Sequence, residues 1–449
     1  MKLEIKRIVL LINIISFLIA VPFLIFYAEG KKIIFPKNKI IYTGGIYIQS
    51  PQKNLSIFLN NKKIGSINIL KSSFFYNQLE PKNYLLTIKK NGFLPVNLDI
   101  QINKGFVNNY FDVLLLKNNP KFFPLKENVD KILDIRYYNN KTLIYTLEND
   151  EYNLYLVSNN SLSEIANSKN YFLVRAAHFN DFQNSLILEF NLQPQKYFFQ
   201  LINLQNENIK ENINFNLPFN PDIIFSYPYL NYEIFYLYNK KLIKYNLKSK
   251  EKIEIANNVI SFFPDQEKIF YLTDNGFLVE LNIYNNSKGI LNNKPFFNIK
   301  NKNFSIINLE DKNFIFSKDG IFLIENGEIT KIFKGADNFI ISPNKKRIIF
   351  NFNNELYCLQ KKYNNNSQFE FIFLDRSSTH SFNFFWVSNN NFILIKENIL
   401  KLFYLNEIEK IYFCTSYFIV PEKILFYNSQ DKTLYLNNNK KILKSEAIF

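Results

Sequence analysis

The side chains able to do chemistry are few and scattered along this chain. There are two histidines, His178 and His380. His380 follows Asp375, Ser377 and Ser378, which together supply the residue types of a Ser/Asp/His triad. A triad is defined by geometry, however, and closeness in sequence carries little weight. Local hydrogen bonding within a loop accounts for that cluster better. Cys358 and Cys414 each lie in an apolar, strand-like run without a CxxC spacing, and read as small buried residues. Whether they pair is left open by the sequence. No group of His, Cys and carboxylates has the spacing of a metal centre. A nucleophile elbow, a P-loop, a dinucleotide fingerprint, a zinc-protease helix and a calcium loop are all absent from the sequence. Trp386, in Phe384-Phe385-Trp386, is a candidate sugar-stacking platform, although in so aromatic a chain packing is the better reading. The sequence thus nominates no catalytic, cofactor-binding or metal-binding residue and no cofactor, and the chain is expected not to be an enzyme.

The elements behind these residues are written in the composition. Phe (48) and Tyr (28) are abundant, while Gly occurs 11 times in 449 residues. Large aromatic and β-branched residues favour pleated, half-buried surfaces, so the palette is strand-forming. A/T-rich coding drift would enrich Ile, Asn, Lys, Phe and Tyr together, and explains Asn runs such as Asn364–Asn366 and Asn389–Asn391. The net charge of +15 permits an anionic partner. The lysines are interleaved with acids over the chain as a whole and form no dense cluster, so nucleic acid ranks last among the candidates.

Ile8 to Tyr27 is a run of twenty residues without a charge. As a helix it covers ~30 Å, the thickness of a bilayer's hydrocarbon core. It exceeds the apolar region of a cleaved leader, and Phe26-Tyr27-Ala28 offers no small-x-small cleavage site. An uncleaved transmembrane helix over 8–27 is expected, with residues 1–7 as a cytoplasmic head, 28–42 as a stalk and the bulk extracytoplasmic. Lysines flank the run on both sides, so the positive-inside count does not decide the orientation. The short head favours this one.

Residues 43–116 carry short alternating runs: Ile46/Ile48, Leu55/Ile57/Leu59, Tyr84/Leu86/Ile88 and Leu98/Ile100/Ile102. Turn signals separate them about every ten residues, the pattern of a small β-sandwich. Here the chain resembles the PEGA domain, a small sandwich of bacterial surface proteins. The resemblance rests on Gly45-Ile46-Tyr47-Ile48, Ser50-Pro51, Leu59-Asn60, Gly65, Leu79-Glu80-Pro81, Tyr84 and Asn91-Gly92-Phe93-Leu94-Pro95. Two departures stand out: Lys82 replaces the glycine usual after the proline, and the Thr-Pro pair usual after the Gly65 position is missing. The resemblance implies a non-catalytic module for surface or envelope contacts.

From 117 to 449 a different unit recurs: an apolar strand, a polar turn, then a second strand. The first strands begin near Leu143, Leu186, Ile234, Lys268, Phe314, Arg347, Phe392 and Ile424, about 40 residues apart, as propeller blades are. Asn275-Gly276 and Asp319-Gly320 read as type I′ turns between such strands. Ser342-Pro343-Asn344-Lys345-Lys346-Arg347-Ile348-Ile349-Phe350 resembles the Ser-Pro-Asp-Gly-Lys blade motif of TolB-like and WD40-like propellers, and Phe263-Pro264-Asp265 begins a looser copy. A hairpin cannot hide its apolar face alone, whereas stacked four-stranded sheets leave few open edges. An all-β chain is therefore expected: an N-terminal transmembrane helix, a PEGA-like sandwich, and a seven- or eight-bladed β-propeller. Its expected function is a non-catalytic, membrane-anchored envelope protein contacting a protein or wall polymer. A glycan-binding propeller is the alternative, and a hydrolase or lyase on a propeller scaffold ranks below it.

Overall fold

The computed structural model describes residues 2–449 except 29, 35–38, 139–140, 159–160, 170–172, 181–184, 194–195, 204–211, 218–220, 227–232, 266–267, 298–303, 311, 363–367, 378–382, 397–398, 406–411, 420–422, 429–430 and 439. Within some helical and strand segments only the backbone is described. His380 and Ser378 lie outside the described residues, as do the side chains of His178 and Cys414 and the run Asn364–Asn366. The chain divides into two compact units. One holds residues 1–121, 384–421 and 447–449, and the other 122–383 and 422–446.

The first unit begins with the helix Lys2–Ala28. Its described side chains between Val9 and Ile19 are mostly large, aliphatic and exposed. The side chains of Ile8, Phe23, Leu24, Phe26 and Tyr27 fall outside the described residues. Among the described residues no helix is long and apolar enough to cross a membrane, so the fold does not support the transmembrane reading of Ile8–Tyr27.

A sandwich of two sheets follows. Lys62–Ile67, Leu55–Leu59, Asn83–Lys89 and Val96–Gln101 form an antiparallel sheet in that order. Ser73–Leu79, Gly44–Gln49 and Val107–Tyr110 form the second, in which the last pair is parallel. Alternation fills the space between them: Ile46, Ile48, Leu55, Ile57, Leu86, Ile88, Leu98 and Ile100 share one buried cluster. Gly65 is required where it stands, because a Cβ there would come within 2.0 Å of the Phe74 ring.

The seventh of the chain's later sheets (Asn383–Trp386, Asn391–Lys396, Ile399–Leu405, Tyr412–Ile419) belongs chiefly to this unit and docks on the sandwich. Tyr404 joins the sandwich core, its ring 6.4 Å from that of Tyr110. The amides of Asn390 and Asn391 donate to the carbonyls of Phe111 (3.2 Å) and Asp112 (2.6 Å). Two members of the Asn389–Asn391 run thus do structural work that coding drift does not explain. Trp386 is buried with its ring edge-on to Phe392 at 5.9 Å, which rules out an exposed stacking platform.

Between 122 and 446 the described strands form eight four-stranded antiparallel sheets. The first seven use consecutive strands, and the eighth takes its outer strand, Phe122–Lys126, from the chain ahead of the first. Within the second unit, consecutive sheets pack face to face. Ile269 and Tyr271 join a cluster with Phe235 and Leu237 of the third sheet. Phe270 and Leu272 join one with Phe304 and Ile315 of the fifth. Successive side chains point to opposite faces of a strand, so a sheet buried on both faces reads as an unbroken apolar run. The sheet order and this packing are those of a β-propeller.

The turns depart from expectation. At Asp319-Gly320 the glycine has no positive φ and already belongs to the next strand. The Ser317 hydroxyl instead accepts the N–H groups of Asp319 and Gly320. At Asn275-Gly276 only the glycine takes a positive φ, +82°, closing a longer loop by donating to the Thr273 carbonyl. A type I′ turn needs positive φ at both central residues. That condition is met at Asn60-Asn61, Asn149-Asp150, Asn239-Lys240 and Asn353-Asn354. Twelve of the twenty described non-glycine residues with positive φ are asparagine, whose short amide tolerates the left-handed region. Asparagine thus does the work that so few glycines cannot.

Candidate functional site

Two arrangements bring reactive or recognition-competent side chains together, both in the second unit. One is a cluster of titratable groups. Glu148 is buried on the second strand of the first sheet, where it accepts from Thr146 (2.7 Å) and the Tyr155 hydroxyl (3.0 Å). Lys126, on the borrowed strand of the eighth sheet, pairs with the same carboxylate at 3.1 Å and lies 4.8 Å from the Tyr155 ring centre. Burial pushes the Tyr155 hydroxyl up. Burial alone would lower Lys126, but the hydrogen bonds it donates to Tyr155 and Glu148 outweigh it and hold the amine above its usual range. The lysine is thereby kept charged and engaged, the state of a structural tie and not of a nucleophile or base.

The other is a groove of about 480 Å³ at the outer edge of the third and fourth sheets. Its existence follows from a short strand. The outer strand of the fourth sheet, Lys288–Ile290, covers only Val279–Leu281 of its neighbour. Beyond that, Asn282 turns the chain outward, its side-chain oxygen accepting the N–H groups of Tyr284 (3.0 Å) and Asn285 (3.3 Å). This holds Tyr284 out at 53% exposure, against Ile283 and the Ile253 and Ile255 side of the third sheet's outer strand. Two cations, Lys244 and Lys288, line the groove, and Lys241 reaches one of its carboxylates. Lys244 pairs with Glu233 at 2.8 Å, and Lys241 pairs with the groove's Glu254 at 2.7 Å. Lys288 donates to the Ile255 carbonyl at 3.1 Å and has no carboxylate partner among the described residues. The groove therefore combines isoleucine and leucine side chains with polar ones, one exposed aromatic and a lysine that has no carboxylate partner among the described residues, which suits it to binding. A smaller cleft of about 380 Å³ lies between Lys294–Phe297 and Gly327–Thr330.

The residues singled out in the sequence do not assemble. Asp375 and Ser377 are described, but the rest of the imagined triad lies outside the described residues. Cys358 is a free, fully buried thiol that burial pushes up to about 12. Among the described residues no three His, Cys or carboxylate side chains come together as metal ligands would. The groove had no signature in the sequence, since Ile253 and Tyr284 meet only because neighbouring sheets stack.

No family model matches the chain. The PEGA resemblance is accordingly unsupported, and what stands is a seven-stranded sandwich. A stretch of 237 residues is 26% identical to an uncharacterized protein of Buchnera aphidicola subsp. Schizaphis graminum (strain Sg), covering 49% of this chain and 23% of that protein. The chain thus matches less than a quarter of that relative's length. Among solved structures it is similar to the C-terminal WD40 domain of Sif2, with a TM-score of 0.44, 12% identity and coverage of 73% of this chain and 98% of that domain. It is also similar to Hsv2 of Kluyveromyces lactis, with a TM-score of 0.42, 12% identity and coverage of 65% and 99%. The likeness is coarse, and the propeller assignment rests on the sheet order and packing.

Proposed function

We propose that this chain is a non-catalytic, membrane-tethered envelope protein that uses its propeller as a contact surface for another protein or a wall polymer. The observation that carries the reading is the groove beside Tyr284 and Lys288, whose exposed aromatic and lysine, without a carboxylate partner among the described residues, favour recognition over reaction. The tether is read from the twenty uncharged residues of Ile8–Tyr27 and from the exposed aliphatic side chains along the helix that contains them. A helix apolar on all sides needs a non-aqueous surrounding. In this reading the N-terminus is cytoplasmic and the propeller extracytoplasmic. The exposed tyrosine beside a lysine also favours a second occupant, an anionic glycan stacking on that ring.

The test is a capture experiment with the full chain in detergent against solubilised envelope proteins and purified wall glycan, comparing wild type with Lys288→Glu and Tyr284→Ala. Protein capture lost in both variants supports the first reading, and glycan retention lost in both supports the second. Capture unchanged in both variants overturns the groove as the contact surface. Extraction of the chain by alkaline carbonate from native membranes would remove the tether.

A further inference from the structure

Residues Asn68–Lys71, which link two strands of the sandwich, form a turn with an unusual cargo. The Asn68 side-chain oxygen accepts the N–H groups of Leu70 and Lys71, each at 3.0 Å, and the Asn68 N–H donates to the Lys71 carbonyl at 3.1 Å. The tip is thus held by three hydrogen bonds while Ile69 is 77% and Leu70 92% exposed. A single exposed leucine needs no explanation, but two adjacent branched aliphatics on a hydrogen-bonded tip form a built apolar point. The adjoining strand also carries exposed apolar side chains. Phe75 is exposed four residues beyond Lys71, opposite Tyr47, whose ring lies 5.7 Å from that of exposed Phe111. Lysines flank the point in the sequence. Lys71 is part of the turn, and the Ser50 N–H donates to the Ser72 carbonyl, which brings the loop carrying Lys53 alongside. Between Glu29 and Glu80 the chain has eight lysines and no aspartate or glutamate.

We propose that this turn is an interfacial anchor that seats Ile69 and Leu70 at the headgroup–acyl boundary of an anionic bilayer, with Lys71 and Lys53 meeting the phosphates. Amphipathic helices lying at that boundary bury their apolar faces about 5–10 Å, the layer the tip would reach, and adjacent lysines add attraction to anionic headgroups. At the tip itself the composition argues for lipid over protein: protein-binding hot spots favour Trp, Tyr and Arg, whereas Leu is under-represented among them and Lys is depleted at interfaces. A fifty-residue stretch without a carboxylate complements a surface of uniform negative charge. The anchor goes beyond the helical tether, since it concerns the sandwich and requires only that a bilayer be within reach.

The test places a reporter at the tip. The full chain carrying Leu70→Trp is reconstituted with vesicles of 3:1 phosphatidylcholine to phosphatidylglycerol, with and without brominated acyl chains. The wild-type spectrum of buried Trp386 is subtracted. Flotation is scored first, so that failure of the tether is read separately; if the chain does not float, mixing with the same preformed vesicles decides the anchor alone. Brominated lipid is expected to quench the new fluorescence at least twofold in anionic vesicles and much less in pure phosphatidylcholine. Leu70→Asp should weaken binding to added anionic vesicles about tenfold or more, as loss of one buried leucine implies. An unquenched tip on anionic vesicles overturns the anchor, as does a Leu70→Asp chain that binds them like wild type. Loss of envelope-protein capture in Leu70→Asp without any quenching would make the tip a protein contact instead.

Discussion

Arg347→Met should open the sixth sheet without unfolding its neighbours to the same extent. Arg347 is 1% exposed, and its side chain lies within a row that crosses three strands. Its Nε donates to Gln360 at 3.0 Å, and Gln360 in turn donates to Glu370 at 3.0 Å. Methionine keeps most of the stem's volume but strands the oxygen of Gln360, which is 5% exposed. Hydrogen bonds to charged groups are worth about 1.5–3 kcal/mol each, and a buried acceptor left without its donor costs about 1–3 kcal/mol. Some of that returns as apolar packing of the new side chain, which leaves about 3 kcal/mol. Cys358 gives the assay, because its thiol is fully buried in the same sheet and sits close enough for Arg347 to pull its titration down against the dominant effect of burial. In a Cys414→Ser background, labelling by an aromatic disulfide at pH 8 reports opening of this sheet. At 1.4 kcal/mol per tenfold change, the labelling rate should rise about a hundredfold. The triple variant Arg347→Met, Gln360→Met, Glu370→Met should recover most of the loss, since an all-apolar row needs no partners. A labelling rate within threefold of wild type in Arg347→Met would refute the reasoning.

Three further outcomes follow from the same geometry. Lys345 occupies the glycine position of the blade motif with φ +55°; Lys345→Gly should relieve left-handed strain and raise stability by about 0.5–1 kcal/mol in urea unfolding, whereas Lys345→Ala should not. Burial raises the Cys358 thiol from 9.0 to about 12, and burial with the neighbouring Glu355 raises Tyr357 from 10.0 to about 12. Both groups are held protonated in the fold, so their contribution is complete below their ordinary values and is lost as pH climbs toward 12. Urea midpoints should therefore fall over that range, and less steeply in Cys358→Val and Tyr357→Phe; equal slopes would count against it. Glu148→Gln should loosen the strand Phe122–Lys126 by about 1–3 kcal/mol, seen as faster amide exchange there before any change in the third to sixth sheets.

The parts of the propeller legible in the sequence were those buried on both faces. Starts marked at Ile234, Lys268 and Arg347 fall on second strands such as Glu233–Tyr238, Lys268–Thr273 and Arg347–Phe352, whose burial is nearly continuous. Outer strands such as Lys252–Ala256 and Lys288–Ile290 are largely exposed and carry no such pattern. Inner strands such as Ile223–Ser226 and Asn338–Ile341 are only four residues long. Turn rules tuned to glycine passed over Asn239-Lys240 and Asn353-Asn354, because asparagine supplies the left-handed residues here. The groove escaped notice for a different reason: it arises from what a shortened strand leaves uncovered, and an uncovered edge has no residue of its own to read. Likewise, nothing local to Asn390 announces a partner 279 residues away.

The borrowed strand of the eighth sheet has a consequence for how the chain is made. Glu127, beside Phe122–Lys126, meets Lys441 across 314 residues of sequence. At ribosomal rates of about 5–20 residues per second, that strand waits about 15–60 s for its partner to emerge. Throughout that interval it is a naked edge, able to pair with the wrong hairpin or with another nascent copy. Its proline and lysine, Pro124 and Lys126, blunt such mispairing. A chain that stops short of Lys441 would keep that edge unsatisfied for its lifetime, so Lys441–Ser445 is the strand on which completion of the eighth sheet depends.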